Sequence, residues 1–221
     1  MNSIGAFIFD MDGVIVDSNP LHRVVWEEYN RRHGIETTEE MQRRMYGKRN
    51  DEIVRDFFGA HLTPEQVFAH GAAKEALYRE ILRPQMESTL VPGIRSFLDR
   101  YPKIPKAVGT SAEQANLDFV LDETGLRRFF LAAIDGHQVR NAKPDPEVFL
   151  RAAECLGVAP ANCLVFEDSY AGVQAGLAAG MRVVGLSTTH PELPGASLVI
   201  PNFTSPELTN FLIQYEVCAE F

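Results

Sequence analysis

The amino-acid sequence predicts an α/β protein with a doubly wound parallel sheet and an inserted all-helical domain. Over most of the chain, short β-rich apolar segments alternate with helix-like segments, which is the pattern of parallel strands joined by crossover helices. Residues 18 to 88 break this alternation, because only amphipathic helical segments occur there. An insertion of that length is too long for a loop and requires a core of its own.

Six apolar segments are predicted to be buried strands. The first, from Ala6 to Phe9, is four residues long and stops at Asp10. The others have the same apolar, β-rich character and occupy residues 106–109, 131–134, 164–166, 183–186 and 198–200.

Start and stop signals predict the helices. Ser111 to Gln114 has the sequence of a capping box, and Gly125 is placed to end the helix that follows it. Asp145 precedes a proline at a first-turn position. In the inserted domain we expect helices at residues 20–33, 50–58 and 64–86, the last begun by Thr63. The predicted domains are a Rossmann-like core in residues 1–17 and 89–221 and a helical domain in residues 18–88.

Composition and charge exclude several classes of protein. The chain has 221 residues, 45% of them hydrophobic and 23% charged, with a formal net charge of -9. This balance is typical of a globular protein, and an acidic chain without a basic run is unsuited to nucleic acid or to an anionic membrane. No uncharged run approaches the ~20 apolar residues of a membrane span. A signal peptide would carry Lys or Arg near its start, but the first basic residue of this sequence is Arg23. The three cysteines have neither metal-binding nor redox spacing. We expect a cytoplasmic protein that is a monomer, with a weak dimer as the alternative.

Acidic side chains follow two of the predicted strands at the point where each strand ends. Asp10 and Asp12 come after the first strand, and residues two apart on an extended chain point the same way. Glu167 and Asp168 follow the strand at 164–166. Because ligands of open α/β sheets bind at the carboxyl ends of strands, we expect the four carboxylates to converge. Solvated strand ends are the alternative for a single acid, but four converging acids favour a hard divalent cation such as Mg²⁺.

Residues suited to hold an anion follow two other strands. Thr110 and Ser111 precede a helix, whose free N–H groups favour negative charge. Ser111 is also explained by the capping box alone, whereas Thr110 has no such local role. Lys143 lies between turn residues after the strand at 131–134. It is either a positively charged group held in a fixed position or, like most lysines, a side chain in solvent.

Taken in order, these strand ends resemble the four motifs of the haloacid dehalogenase superfamily of aspartyl phosphotransferases. The matching residues are Asp10-x-Asp12-Gly13-Val14, Thr110, Lys143-Pro144 and Glu167-Asp168. One such motif is a weak signal, whereas four in register are specific, and the resemblance extends over residues 7–200. The inserted helices are similar to the cap domain of the β-phosphoglucomutase-like branch. That branch includes phosphoglycolate phosphatases, sugar-phosphate phosphatases and hexose-phosphate mutases.

The resemblance implies a role for each motif residue. It makes Asp10 the nucleophile that forms an aspartyl-phosphate, and Asp12 the acid and base that serves the leaving oxygen and the attacking water. It implies that Thr110 and Lys143 bind the phosphoryl oxygens, and Ser111 is a further candidate beside them. It also implies a Mg²⁺ cofactor with four ligand residues, namely Asp10, Asp12 through its backbone carbonyl, and Asp168 with Glu167 in support.

One segment of the inserted domain resembles the substrate-specificity loop of the mutases. In that loop a Gly is preceded by Lys and followed three residues later by Arg. Here Gly47 is preceded by Tyr46 and followed by Asn50, so the chain departs from the pattern at both places. Lys48 and Arg49 are close enough to take over a distal phosphate, or they are solvated at a helix start.

His22 gives the opposite indication from this loop. It lies twelve residues after Asp10, the spacing of a substrate-handling histidine in hexose-phosphate mutases, although a polar surface residue is the alternative. The sequence therefore favours a Mg²⁺-dependent phosphatase of a small phosphorylated metabolite, with a mutase as the alternative. A binding module without catalysis is disfavoured by the intact motifs. A Schiff-base enzyme acting through Lys48 ranks last, because that lysine has no neighbour that would activate it.

Overall fold

The computed structural model describes residues 3–45 and 50–217, and the chain divides into two compact units. Unit 1 is made of Met1–Asp17 and Met86–Phe221, and unit 2 of Ser18–Gln85. The described part of unit 2 contains helices and turns, whereas unit 1 combines strands with helices. None of the described helices has the length and apolar composition that a bilayer span requires.

A six-stranded parallel sheet forms the centre of unit 1. The described strands are β1 (Ser3–Ile4), β2 (Ala6–Phe9), β3 (Lys106–Gly109), β4 (Ala132–Ile134), β5 (Cys163–Glu167), β6 (Arg182–Leu186), β7 (Leu198–Ile200) and β8 (Glu216–Val217). The order in the main sheet is β4-β3-β2-β5-β6-β7, so the winding reverses direction after β4 and β5 returns to lie beside β2. This confirms the doubly wound α/β prediction, and each predicted strand agrees with the observed one to within one residue at either end. β1 and β8, which the sequence did not indicate, pair separately as a two-stranded sheet.

The helices agree with the predicted ones in most places. They are α1 (Asn19–Arg32), α2 (Glu39–Met45), α3 (Asn50–Phe58), α4 (Pro64–Leu82), α5 (Met86–Thr89), α6 (Ile94–Arg100), α7 (Gln114–Glu123), α8 (Glu147–Leu156), α9 (Tyr170–Ala178) and α10 (Pro206–Ile213). Thr63 caps α4, since its hydroxyl accepts a hydrogen bond from the Gln66 N–H and the Gln66 side chain accepts one from the Thr63 N–H. The helix predicted at 64–86 is interrupted by a 3₁₀ turn at Arg83–Gln85, and α2 was not predicted.

The capping box predicted at Ser111 is wrong. Ser111 is exposed, and α7 begins only at Gln114, with no side-chain cap. Two hydrogen bonds explain the late start. The Thr110 hydroxyl accepts from the Ala112 N–H at 3.1 Å, and the Ala112 carbonyl accepts from the Gly136 N–H at 2.8 Å. These bonds hold residues 110–112 in a bend, so Thr110 has the local role that the sequence did not suggest.

Aromatic side chains fill one face of the main sheet. Phe9 of β2 stacks on Phe166 of β5 with ring centroids 4.8 Å apart, and both strands are buried throughout. Phe97 of α6 and Phe203 cover this pair, each 5.2 Å from the Phe166 ring. Such aromatic contacts contribute ~0.5–1.5 kcal/mol each beyond the burial of their area. The cluster therefore fixes β2 and β5 side by side, and with them the residues at their ends.

The chain leaves unit 1 and returns to it through two antiparallel segments, which we call the stem. Residues 15–17 pair there with residues 89–91. The Asp17 N–H donates to the Thr89 carbonyl at 2.7 Å, and the Val91 N–H donates to the Ile15 carbonyl at 3.0 Å. The backbone of unit 1 is thus closed across the point where unit 2 is inserted.

Candidate active site

The residues predicted from the strand ends lie at the carboxyl edge of the main sheet. Asp10 follows β2, Thr110 follows β3, and Glu167 is the last residue of β5. Phe9 is in register with Phe166, so Asp10 and Glu167 leave neighbouring strands at the same level. This edge is where ligands bind in open α/β sheets.

Lys143 bridges the two acidic residues at this edge. Its Nζ donates a hydrogen bond to Oδ1 of Asp10 and another to Oε1 of Glu167, both at 2.7 Å. The Lys143 side chain is only 7% exposed. Burial lowers the pKa of Lys143, but the two carboxylates outweigh burial and raise it, so the ammonium keeps its charge. Lys143 is a positioned charge and not a solvated one.

Glu167 is held by hydrogen-bond donors at both carboxylate oxygens. Its Oε2 accepts from the N–H groups of Asp168 and Ser169, each at 2.7 Å, and from the Ser169 hydroxyl at 3.0 Å. The Ser169 oxygen also accepts from the Gly172 N–H at 3.0 Å and so caps α9. A Cβ on Gly172 would lie 1.7 Å from Oε1 of Glu167, so this helix must carry glycine there. The start of α9 therefore orients Glu167, which in turn orients Lys143.

The surroundings of Asp168 include two threonines that sequence reasoning missed, one of which contacts it directly. The Thr189 hydroxyl donates to Oδ2 of Asp168. The Thr188 hydroxyl donates to the Gly13 carbonyl, in the loop after β2, at 2.6 Å. No motif marks these threonines, and a separation of 21 residues between Thr189 and Asp168 hides their contact from any local pattern.

The carboxylates of Asp10, Glu167 and Asp168 fit a divalent cation. Each offers an oxygen within 4.8 Å of the others. Burial raises the pKa of Asp10 to about 7. Lys143 opposes this rise, and the negative charge of Glu167 adds to it. Burial and the charges of Glu167 and Asp10 raise the pKa of Asp168 to about 8. Three carboxylates face one ammonium here, and the excess negative charge on hard oxygen donors suits a cation such as Mg²⁺.

The other predicted core residues lie near this cluster but outside it. Asp12 is half-buried, and its negative charge adds to the rise in the pKa of Asp10. Its carboxylate is not among the three whose oxygens approach within 4.8 Å, which leaves its backbone carbonyl as the implied ligand. Thr110 is buried, and its N–H donates to the Ile134 carbonyl at 3.0 Å, whereas Ser111 is exposed.

In unit 2, the half-buried His22 belongs to a polar cluster built on a buried ion pair. Nζ of Lys74 lies 2.9 Å from Nδ1 of His22 and 2.8 Å from Oε1 of Glu75, which also accepts from the side-chain amide of Asn50. The His22 ring stacks on Tyr78 with centroids 4.4 Å apart. Because an ammonium only donates, Nδ1 of His22 accepts, and the proton of the neutral ring is on Nε2. Sequence reasoning missed Lys74 and Glu75, since no motif surrounds them.

Tyr46, Gly47, Lys48 and Arg49 lie outside the residues that the structure describes. Their roles stay predictions, as does the role of His22 toward a substrate.

Comparison with known families identifies the class of this protein. Residues 4–180 match the family of haloacid dehalogenase-like hydrolases. The matched segment contains Asp10, Thr110, Lys143, Glu167 and Asp168. The chain therefore belongs to this family, which confirms the resemblance found in its motifs.

Individual relatives of this chain include phosphatases and phosphomutases. Fructose-1-phosphate phosphatase YqaB of Escherichia coli (strain K12) is 34% identical over 178 residues, which cover 80% of this chain and 93% of the relative. Beta-phosphoglucomutase of Bacillus subtilis (strain 168) is 31% identical over 204 residues, which cover 88% of each chain. The crystal structure of a HAD hydrolase, family IA, variant 3, from Entamoeba histolytica HM-1:IMSS is similar with a TM-score of 0.84 and 26% identity, over 96% of this chain and 100% of that chain. This protein is an enzyme of the phosphatase and phosphotransferase class.

Proposed function

We propose that this enzyme is a Mg²⁺-dependent phosphatase that hydrolyses a small phosphate ester, such as a sugar phosphate, through an aspartyl-phosphate on Asp10. The placement of Asp10 carries the proposal. Its Oδ1 lies 2.7 Å from Nζ of Lys143, within a buried group of carboxylates at the carboxyl edge of the sheet. An anionic carboxylate can attack an anionic phosphate only where positive charge offsets their repulsion. This site supplies one ammonium and a donor set suited to a cation.

Two displacements at phosphorus give the reaction. In the first, a carboxylate oxygen of Asp10 bonds to phosphorus as the ester P–O bond breaks, and Asp12 gives a proton to the departing oxygen. In the second, Asp12 takes a proton from a water molecule, whose oxygen bonds to phosphorus as the bond to Asp10 breaks. The products are an alcohol and inorganic phosphate, and both aspartates regain their starting protonation states.

The surrounding residues prepare these steps. Lys143 opposes the effect of burial on the pKa of Asp10 and so favours the ionised form that attacks phosphorus. We assign the binding of the phosphoryl oxygens to Lys143, Thr110 and Ser111. Glu167, whose oxygens accept from four donors, holds Lys143 at the distance this task requires.

The proposed ligands of the cation are Asp10, the backbone carbonyl of Asp12, and Asp168, with Glu167 in support. When bound, Mg²⁺ would neutralise negative charge on the phosphoryl group and on the nucleophile. The rise in the pKa values of Asp10 and Asp168 supports this assignment, because a cation at this point would relieve the repulsion that contributes to it.

A hexose-phosphate mutase is the second candidate function. Lys74 supports it, because this lysine holds Nδ1 of His22, the residue at the mutase spacing. Asn50 supports hydrolysis. Asn50 stands at the position where the mutases carry Arg, and its side-chain amide donates to the carboxylate of Glu75. A neutral amide already engaged in this way is unsuited to binding a distal phosphate. The named relatives include a phosphatase and a mutase, and we place hydrolysis first.

Product analysis with two esters tests the proposal. Purified enzyme with Mg²⁺ is given β-glucose 1-phosphate with a trace of glucose 1,6-bisphosphate, and separately fructose 1-phosphate. Free phosphate and glucose 6-phosphate are measured together, with Asp10→Asn as the nearly isosteric control. We expect phosphate release that the control lacks and that EDTA abolishes. Formation of glucose 6-phosphate without phosphate release would identify a mutase, and undiminished release by Asp10→Asn would overturn the proposed nucleophile.

A further inference from the structure

Two loops of unit 1 meet at Asp168. The loop after β2 carries Gly13, whose φ is +76°, and the loop after β6 carries Thr188 and Thr189. Neither threonine belongs to the motifs by which the active site was recognised. The Thr189 hydroxyl nevertheless contacts the Asp168 carboxylate directly, and the Thr188 hydroxyl contacts the Gly13 carbonyl. Gly13 and Thr189 thus form two sides of the environment of this carboxylate.

Gly13 forms one side of this environment. A Cβ at this position would lie 1.9 Å from Oδ2 of Asp168, so the carboxylate rests directly against the glycine backbone. That backbone is fixed at both of its polar groups. The Gly13 N–H donates to the Val16 carbonyl at 2.7 Å, and the Gly13 carbonyl accepts from the Thr188 hydroxyl at 2.6 Å.

Thr189 forms the other side. Its hydroxyl donates to the same Oδ2 of Asp168 that Gly13 approaches. The loop that carries it is anchored before and after this residue. The Ser187 N–H donates to the Ile200 carbonyl at 2.9 Å, and the His190 ring packs on Tyr170 with centroids 4.2 Å apart. A donor held in this way restricts the rotamer of the carboxylate it contacts.

We propose that Thr189, supported by Thr188, is a positioning residue of the cation site, and that its hydroxyl holds Asp168 in the orientation that binds a divalent cation. The inference rests on the proposed function in taking that cation to be Mg²⁺. Outer partners of metal ligands typically account for about 10- to 100-fold in metal affinity. Thr189→Val removes the donating hydroxyl at nearly constant volume, so its effect reports on the hydrogen bond more than on packing.

Calorimetric titration of the metal-free protein with Mg²⁺ tests this role without measuring turnover. We expect Thr189→Val to weaken Mg²⁺ binding by about 10- to 100-fold, and Thr189→Ser, which keeps the hydroxyl, to bind Mg²⁺ like the wild type. Ser187→Ala is the matched control. It removes a hydroxyl from the same loop, one that donates to the Ile200 carbonyl at 3.4 Å, and it should leave Mg²⁺ binding unchanged. Thermal unfolding in EDTA shows whether each variant keeps the fold.

The outcomes separate this inference from the proposed function. Wild-type affinity in Thr189→Val overturns the inference, and so does an equal loss in Thr189→Ser, because packing and not the hydroxyl would then be responsible. A wild-type protein that binds no Mg²⁺ overturns both proposals. A wild-type protein that binds Mg²⁺ but releases phosphate from no ester overturns the phosphatase alone, and the affinities of the variants still decide the role of Thr189.

Discussion

Replacing Glu75 by Gln removes one half of a buried ion pair in unit 2. Glu75 and Lys74 are 4% and 1% exposed, and Oε1 of the first lies 2.8 Å from Nζ of the second. Gln keeps the shape and one acceptor oxygen of Glu, but it leaves the Lys74 ammonium without the opposite charge. Breaking a buried pair on one side costs about 3–5 kcal/mol.

The pKa of Glu75 gives a second figure for the same interaction. Burial raises this pKa, but Lys74, His22 and the hydrogen bonds from Lys74 and Asn50 outweigh burial and lower it from 4.5 to about 2. A carboxyl lowered by this much contributes about 3 kcal/mol to folding. Because the folded-state pKa is below the ordinary one, the contribution is complete above pH 4.5 and is lost as the pH falls through about 2.

Urea unfolding followed by the fluorescence of Trp26 measures this contribution. Trp26 is the only tryptophan in the sequence, and its ring lies 5.4 Å from Nζ of Lys74. We expect Glu75→Gln to lose about 3 kcal/mol of unfolding free energy at pH 7 and progressively less below pH 4.5. The double variant Lys74→Met, Glu75→Gln should be closer to the wild type, because it buries no unpaired charge. A loss below about 1 kcal/mol at pH 7, or one that persists unchanged to pH 3, would refute the reasoning.

Three further predictions concern the core site and helix packing. Lys143→Met should raise the pKa of Asp10 further, because it removes the opposing ammonium, and should lower phosphate release at pH 7 by about 100-fold or more; a wild-type pH–rate profile would contradict this. In metal-free protein, Asp10 and Asp168 have pKa values raised from 3.8 to about 7 and about 8, so their contribution to stability is complete below pH 3.8 and lost as the pH rises through 7 to 8. Calorimetry should therefore record a Tm that falls as the pH rises from 3.8 to about 8 and that Mg²⁺ restores. A Tm indifferent to Mg²⁺ at pH 8 would count against the cation site. Gly172→Ala places a Cβ 1.7 Å from a carboxylate oxygen and should lower both Tm and activity, whereas Gly71→Ala in α4, whose nearest neighbour is 4.0 Å away, should add about 0.5–1 kcal/mol of stability in urea unfolding.

The sheet and the core of the site could be predicted from the sequence because the relevant information is local. Each strand of the main sheet is a short apolar run, and Asp10 and Glu167 occur directly at the ends of two of them. Parallel pairing then places both ends at one edge. β1 and β8 could not be predicted, since two residues show no periodicity and the pairing is made only in three dimensions.

The residues that escaped prediction are those whose contacts span long stretches of chain. Lys74 meets His22 across 52 residues, and Thr189 meets Asp168 across 21, with no sequence signal at Lys74 or at Thr189. Ser111 failed for a different reason. The residues of a capping box are present in the sequence, but the hydrogen bond from the Gly136 N–H to the Ala112 carbonyl holds the segment in a bend. A local sequence pattern cannot reveal this bond. The domain boundaries, the cytoplasmic location and the monomeric state stay predictions.

The stem makes unit 2 exchangeable in the course of evolution. Backbone hydrogen bonds join residues 15–17 to residues 89–91, so the chain of unit 1 is held together on both sides of the inserted segment. A lineage can therefore lengthen, shorten or replace Ser18–Gln85 as one contiguous block of the gene while Asp10 and Lys143 stay in place.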